Sequence, residues 1–244
     1  MRRVKLTLGY DGTNYAGWQR QENALAVQQV VEQSLRKLTG EAILVTGASR
    51  TDAGVHALGQ VCHFDMRTNI PDAKLPLALN AKLPPDIRAY MAETVGEAFH
   101  ARFDAKAKIY RYHIHQGVHA PVLERNARRH VPAPLDMERM SAEASAMVGT
   151  HDFRAFCAAG SSAKTTVRTV YECGCERDGA HIQIRIMGDH FLYNMVRILA
   201  GTLVEVGTGK LAQGAVARAL SGGNRLDLGQ TAPPQGLVLE KVIY

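Results

Sequence analysis

Residues 48–64 read ASRTDAGVHALGQVCHF, which sets Arg50 and Asp52 two positions apart among small side chains. Ile43 to Thr46 reads as a buried strand before this stretch and Gly59 to Phe64 as another after it. The carboxylate therefore falls in a loop between strands. The ordinary role of an aspartate there is an Asx-turn or the cap of a short helix, and Gly54 suits a turn equally well. Two features favour chemistry instead. Arg50 is near enough to hold a phosphate or the carboxylate itself, and no bulky side chain beside Asp52 blocks a substrate.

Arg197 is the second candidate. Phe191 to Val206 reads as a helix whose main apolar stripe is Leu192, Met195, Val196, Leu199 and Leu203. Arg197 projects from the far side with Tyr193 and Gly201, yet Val204 lies there too, so this is not a plain solvent face. A partly buried guanidinium requires a carboxylate or phosphate, because an unpaired buried charge is strongly destabilising. Tyr110 is the third candidate. On a strand from Lys108 to His115 it shares a face with Tyr112 and Ile114, where core packing is the ordinary role for both tyrosines. His113 and His115 share the opposite face without a third ligand in view. Cys173 and Cys175 flank one glycine and lack C-x-x-C spacing, so with Cys62 and Cys157 they read as reduced, packed thiols.

The elements that must position these residues follow from periodicity. Val4 to Gly9 alternates as a strand, and Ala24 to Leu38 carries a helical stripe (Val27, Val30, Val31, Leu35, Leu38) stopped by Gly40. After the two strands around Asp52, Pro71 to Leu83 reads as a helix broken by Pro76, and Ile87 to Val95 as a strand. The order is βαββαβ, the ferredoxin-like unit. The second half repeats it: strand Lys108 to His115, helix Asp136 to Val148 opened by Pro134, and a hairpin of Thr166 to Glu176 with His181 to Met187 around an Asp-Gly turn. The long helix with Arg197, a shorter one at Ala212 to Leu220 and a strand at Leu237 to Ile243 complete it. The expected fold is α+β, with two ferredoxin-like halves, 1–104 and 105–244, a mainly antiparallel sheet and an active-site cleft between the halves.

Lys and Arg total 29 against 23 acidic residues, a formal charge of +6 that suits a phosphate-bearing partner. No apolar run reaches the ~18–20 residues of a membrane span. Asp11 cuts short the apolar part of MRRVKLTLGYDG, which reads as a strand rather than a signal peptide, so a cytoplasmic protein is expected.

Five stretches carry a resemblance that runs along the chain: YDGTNYAGWQRQ (Tyr10 to Gln21), RTDAGVHALGQVCHF (Arg50 to Phe64), KIYRYHI (Lys108 to Ile114), FLYNMVRILAGTLVEVG (Phe191 to Gly207) and TAPPQGLVLEKVIY (Thr231 to Tyr244). In content and order the chain resembles the tRNA pseudouridine synthase A family, which isomerises uridine in the anticodon stem-loop of tRNA. The resemblance implies that Asp52 is the catalytic aspartate and that Tyr110 packs against the target base. It makes Arg197 the helix arginine that pairs with the catalytic carboxylate, and Arg50 the loop arginine that helps open the target nucleotide's site. It further implies a homodimer acting on tRNA with no metal and no cofactor. The family usually has glycine where Ser49 stands, and a serine would be strained if that position needs φ > 0.

Breaking the N1–C1′ bond, turning the uracil and joining C5 to C1′ requires a nucleotide flipped out of its helix. A carboxylate at the sugar–base junction is already ionised at neutral pH, given an ordinary pKa of ~3.9. Two rival readings are an RNA-binding protein without catalysis, and a hydrolase that cuts the uracil–ribose bond. The second of these generally needs another carboxylate, which the Asp52 motif lacks. Candidate phosphate contacts are Arg20, Arg50, Lys106, Lys108, Arg128 and Arg129.

Overall fold

Val4, Leu6 and Leu8 alternate with charged and hydroxylated residues and are fully buried, which fixes β1 (Arg2–Tyr10) as a strand with one face in the core. Helix α1 (Val27–Thr39) buries the stripe Val27, Val31 and Leu35 and ends at Gly40. A short strand β2 (Thr46–Gly47), strand β3 (His56–Met66), helix α2 (Leu75–Asn80) and strand β4 (Ile87–Val95) follow. Strand β1 runs antiparallel to β3, with Leu6 opposite Cys62, and to β4, with Leu6 opposite Ala92. The spatial order β4-β1-β3-β2 is that of the ferredoxin-like unit.

The computed structural model describes residues 1–244, which divide into two units: 1–106 with 239–244, and 107–238. The second unit begins with β5 (Ala107–Gln116), β6 (Arg129–Val131), α3 (Met137–Ser145) and β7 (Gly149–Asp152). It continues with β8 (Val167–Asp178), β9 (His181–Gly188), α4 (Met195–Gly207) and α5 (Ala215–Gly222). Strand β9 lies antiparallel between β5 and β8, with Tyr112 opposite Ile184 and Ile184 opposite Cys175. Strand β6 runs parallel to β5, with Arg129 beside Ile114. Asp136 caps α3 by accepting from the Arg139 amide at 3.1 Å. Nearly every residue of α4 is buried, so it is the core helix of this unit. The last strand, β10 (Leu237–Ile243), lies beside β3 in the first unit from Leu239 onward. The fold is α+β, with ten strands in mostly antiparallel pairing and five helices.

Four expectations are corrected. The segment Ile43 to Thr46 is not a full strand, because only Thr46 and Gly47 join a ladder. Pro76 does not break α2; it stands in the first turn, where its missing N–H is no loss. Helix α4 starts at Met195 rather than Phe191, because Asn194 turns into the left-handed region at φ 60°. Tyr193 therefore lies outside the helix and is exposed. Strands β6 and β7 were not expected at all.

His63 of β3 is buried, and its Nδ1 accepts from the Ala101 amide at 3.1 Å. Burial, then the neighbouring His100 and Arg3, push its pKa below the ordinary histidine value. The unfolded chain therefore binds the proton more readily than the folded one. Stability should fall as the pH drops through about 6.5, the unfolded value. Thermal melts between pH 7.5 and 5 should show this fall, with a shallower slope for His63→Gln. Equal slopes would assign the acid sensitivity to other groups.

Candidate active site

Asp52 is half-buried in the loop between β2 and β3, and Arg50 in the same loop is exposed. The loop is held from three directions. Gln60, 0% exposed, donates through Nε2 to the Ser49 carbonyl at 2.8 Å, while its Oε1 accepts from the Ser49 amide at 3.3 Å. Thr51 Oγ1 meets the Tyr10 hydroxyl at 2.8 Å. The segment that follows β1 closes the third side: the Trp18 amide donates to the Thr51 carbonyl at 3.1 Å, and the Gly54 amide to the Tyr15 carbonyl at 3.2 Å. Gly17 makes this approach possible, since it sits at φ +88° and a β-carbon there would overlap the Thr51 carbonyl. Trp18 is fully buried and stacks on Tyr10 with ring centres 6.1 Å apart. Burial raises the nearby Asp11 carboxyl, but hydrogen bonds from Thr13 and the charge of His56 outweigh it and hold the pKa below the ordinary value.

The Val55 amide donates back to the Asp52 carbonyl at 3.1 Å, so the backbone does form the turn that Gly54 suggested. Ser49 is not strained; Asn194 is the one non-glycine residue with positive φ. Gln60, Thr51, Tyr10 and Gly17 hold the loop; of these the sequence offers only Thr51 as a local cap and assigns the other three no contact. Their one visible signal was that the matched stretches YDGTNYAGWQRQ and RTDAGVHALGQ contain all four.

In the second unit, Tyr110 is 5% exposed, and its ring meets Phe191 edge-on at 5.3 Å. Arg197 is half-buried on α4. Its Nε donates to the Ala232 carbonyl at 2.8 Å and its Nη1 to Asn194 Oδ1 at 2.8 Å, while its own carbonyl accepts from the Ala232 amide at 3.0 Å. The left-handed turn at Asn194 is what brings that amide oxygen back over the first turn of α4. Tyr112 donates to the Pro233 carbonyl at 2.8 Å, so strand β5 and helix α4 both grip the segment Thr231 to Gly236. Arg50 and Asp52 thus share one loop of the first unit, and Tyr110 and Arg197 flank one segment of the second.

Among the candidate phosphate contacts, Lys108 must be removed: it is 5% exposed, on the same inward face of β5 as Tyr110 and Tyr112. Arg20 pairs with Glu32 at 3.2 Å and Arg128 with Glu124 at 2.7 Å, whereas Arg50 and Lys106 are exposed. His113 Nδ1 lies 3.0 Å from His181 Nε2, a pair without a third ligand. All four cysteines are free thiols, and burial pushes the Cys175 pKa up to about 12. No helix is long and apolar enough to cross a membrane.

A family model described as tRNA pseudouridine synthase matches residues 8–104 and 144–244. The chain is 49% identical over 244 residues to the tRNA pseudouridine synthase A of Thermoanaerobacter sp. (strain X514), with all of both chains covered. It is 48% identical to that of Bacillus licheniformis, with 99% of each chain covered, and 47% identical to that of Geotalea uraniireducens, again with all of both covered. The class is that of an RNA-modifying isomerase. The chain belongs to the tRNA pseudouridine synthase family.

Proposed function

We propose that the protein converts uridine to pseudouridine in the anticodon stem-loop of tRNA, acting in the cytoplasm as a homodimer. In this reading Asp52 is the catalytic carboxylate, and Arg50, Tyr110 and Arg197 bind the substrate. The observation that carries it is the similarity to tRNA pseudouridine synthases over all of both chains. The rigid loop supports the role of Asp52: a carboxylate that must meet one sugar–base junction gains from a backbone fixed by Gln60, Thr51 and Trp18.

The reaction takes a uridine flipped out of its stack. The N1–C1′ bond breaks, the uracil turns, and C5 joins C1′; the proton lost from C5 is balanced by one gained at N1. Nothing enters or leaves in the net change, so the proposal includes no metal and no cofactor. Ala53 and Gly54 leave room beside Asp52 for the ribose.

The test is product analysis. Purified protein incubated with unmodified tRNA should yield pseudouridine on nucleoside mass spectrometry. Free uracil would make the protein a hydrolase, and unchanged tRNA would make it a binding protein. Binding should also weaken steeply with salt, on the order of a thousandfold between 50 and 200 mM if about six phosphates are contacted.

A further inference from the structure

Arg129 pairs with Ile114 across the parallel β5–β6 ladder, which sets its side chain on the face that also carries Tyr110 and Tyr112. It is half-buried, and its Nη1 is shut off from solvent with no hydrogen-bond partner. The adjacent Arg128, by contrast, is matched to Glu124. The charges of Arg129 and Arg197, together with a hydrogen bond from Arg129, act on the Tyr112 hydroxyl and oppose the rise that burial imposes on its pKa, so the guanidinium has a neutral partner while its Nη1 has none. That hydroxyl already donates to Pro233, and a phenol supplies no counter-charge. A sheltered guanidinium nitrogen without an acceptor carries a desolvation cost that an apolar side chain of similar length would avoid. Such a cation is explained by an anion that arrives from outside the chain.

We infer that Arg129 receives a backbone phosphate of the RNA substrate, next to the nucleotide that Tyr110 binds. The inference rests on the proposed activity toward tRNA. A phosphate suits the site better than a base edge. It is the anion that a planar guanidinium holds with two parallel N–H bonds, and a second cation, Arg197, lies close enough to act on the same phenol.

The test compares Arg129→Met and Arg129→Lys with the wild type in pseudouridine formation, in tRNA binding across a salt titration and in thermal melting. For the methionine variant, KM should rise about tenfold. The slope of log affinity against log salt should shrink by roughly 0.7–0.9, the value of one phosphate contact. Its Tm should be little changed, because the cost of the sheltered Nη1 and the hydrogen bond to Tyr112 are lost together. The lysine variant should restore the salt slope and only part of the affinity. Unchanged KM and slope in the methionine variant would overturn the inference. So would a fall in Tm at unchanged KM, which would make Arg129 a structural partner of Tyr112. A wild type that leaves tRNA uridine unconverted would sink the functional reading itself, whereas a converting wild type with an indistinguishable methionine variant would sink the phosphate contact alone.

Discussion

Asp52→Asn should bind tRNA with wild-type affinity and convert none of it. The amide keeps the shape of the side chain and loses the charge, and the contacts of Ser49, Thr51 and Gly54 that hold the loop are untouched by the change. Removing a central catalytic group costs on the order of 10⁴-fold or more in kcat. Pseudouridine measured by mass spectrometry should therefore fall below detection at ordinary enzyme concentrations. The Tm should stay near that of the wild type, and filter binding should report an unchanged Kd. Turnover within tenfold of the wild type would take Asp52 out of the chemistry and reduce it to a turn residue.

Gly201→Ala should be the most damaging small substitution in the second unit. Alanine is the better helix former by about 1 kcal/mol, so α4 taken alone would gain from it. The surroundings reverse the sign. A β-carbon at Gly201 would overlap the Gln230 carbonyl oxygen and stand 3.1 Å from the Ala232 amide nitrogen, both of them backbone atoms that no rotamer change can move. Forced overpacking of this kind costs about 3 kcal/mol. For a chain of this length that lowers the Tm by about 6–12 °C. The displaced segment is also the one that Arg197 clasps through Ala232, so turnover should fall even at temperatures where the variant stays folded. A melt indistinguishable from the wild type would mean that Thr231 to Gly236 can move away freely.

The strands were legible wherever a side-chain period of two met a core on one face. Val4, Leu6 and Leu8 in β1 and Ile182, Ile184 and Ile186 in β9 are the clear cases, and the Asp-Gly pair between β8 and β9 gave the hairpin. The segment before Asp52 shows why the same signal misled. Ile43 and Val45 are buried and Leu44 is exposed, a strand-like pattern. Yet the backbone of Val45 bonds to side chains: its amide donates to Glu32 Oε1 at 3.1 Å, and its carbonyl accepts from Gln28 Nε2 at 2.8 Å. Two helix residues replace the ladder, which alternation alone does not reveal. The start of α4 was missed because it turns on one residue, Asn194, in the left-handed region. Lys108 was read as a surface charge although it shares parity with the inward-facing Tyr110 and Tyr112. In the site, Asp52 and Arg50 stood out by type and spacing, and the resemblance supplied the roles of Tyr110 and Arg197. The groups that hold the loop did not stand out. Gln60 contacts Ser49 from eleven positions away and Tyr10 reaches Thr51 across forty-one, pairings that only the folded chain shows.

Because residues 239–244 cluster with the first unit, that unit is interrupted by everything from 107 to 238. A ribosome that has released residues 1–106 has made all of the unit except the strand that lies beside β3. Until the intervening residues have also emerged, the edge of β3 near Gly59, where the Glu240 carbonyl finally comes to rest, offers bare amides and carbonyls to any other extended chain. The unit that carries Asp52 is thus begun before residues 107–238 are made and sealed only after them. A nascent chain stalled before residue 239 would hold the loop that bears Asp52 on a sheet still open at one edge, which makes late truncation a hazard for a segment far upstream of it.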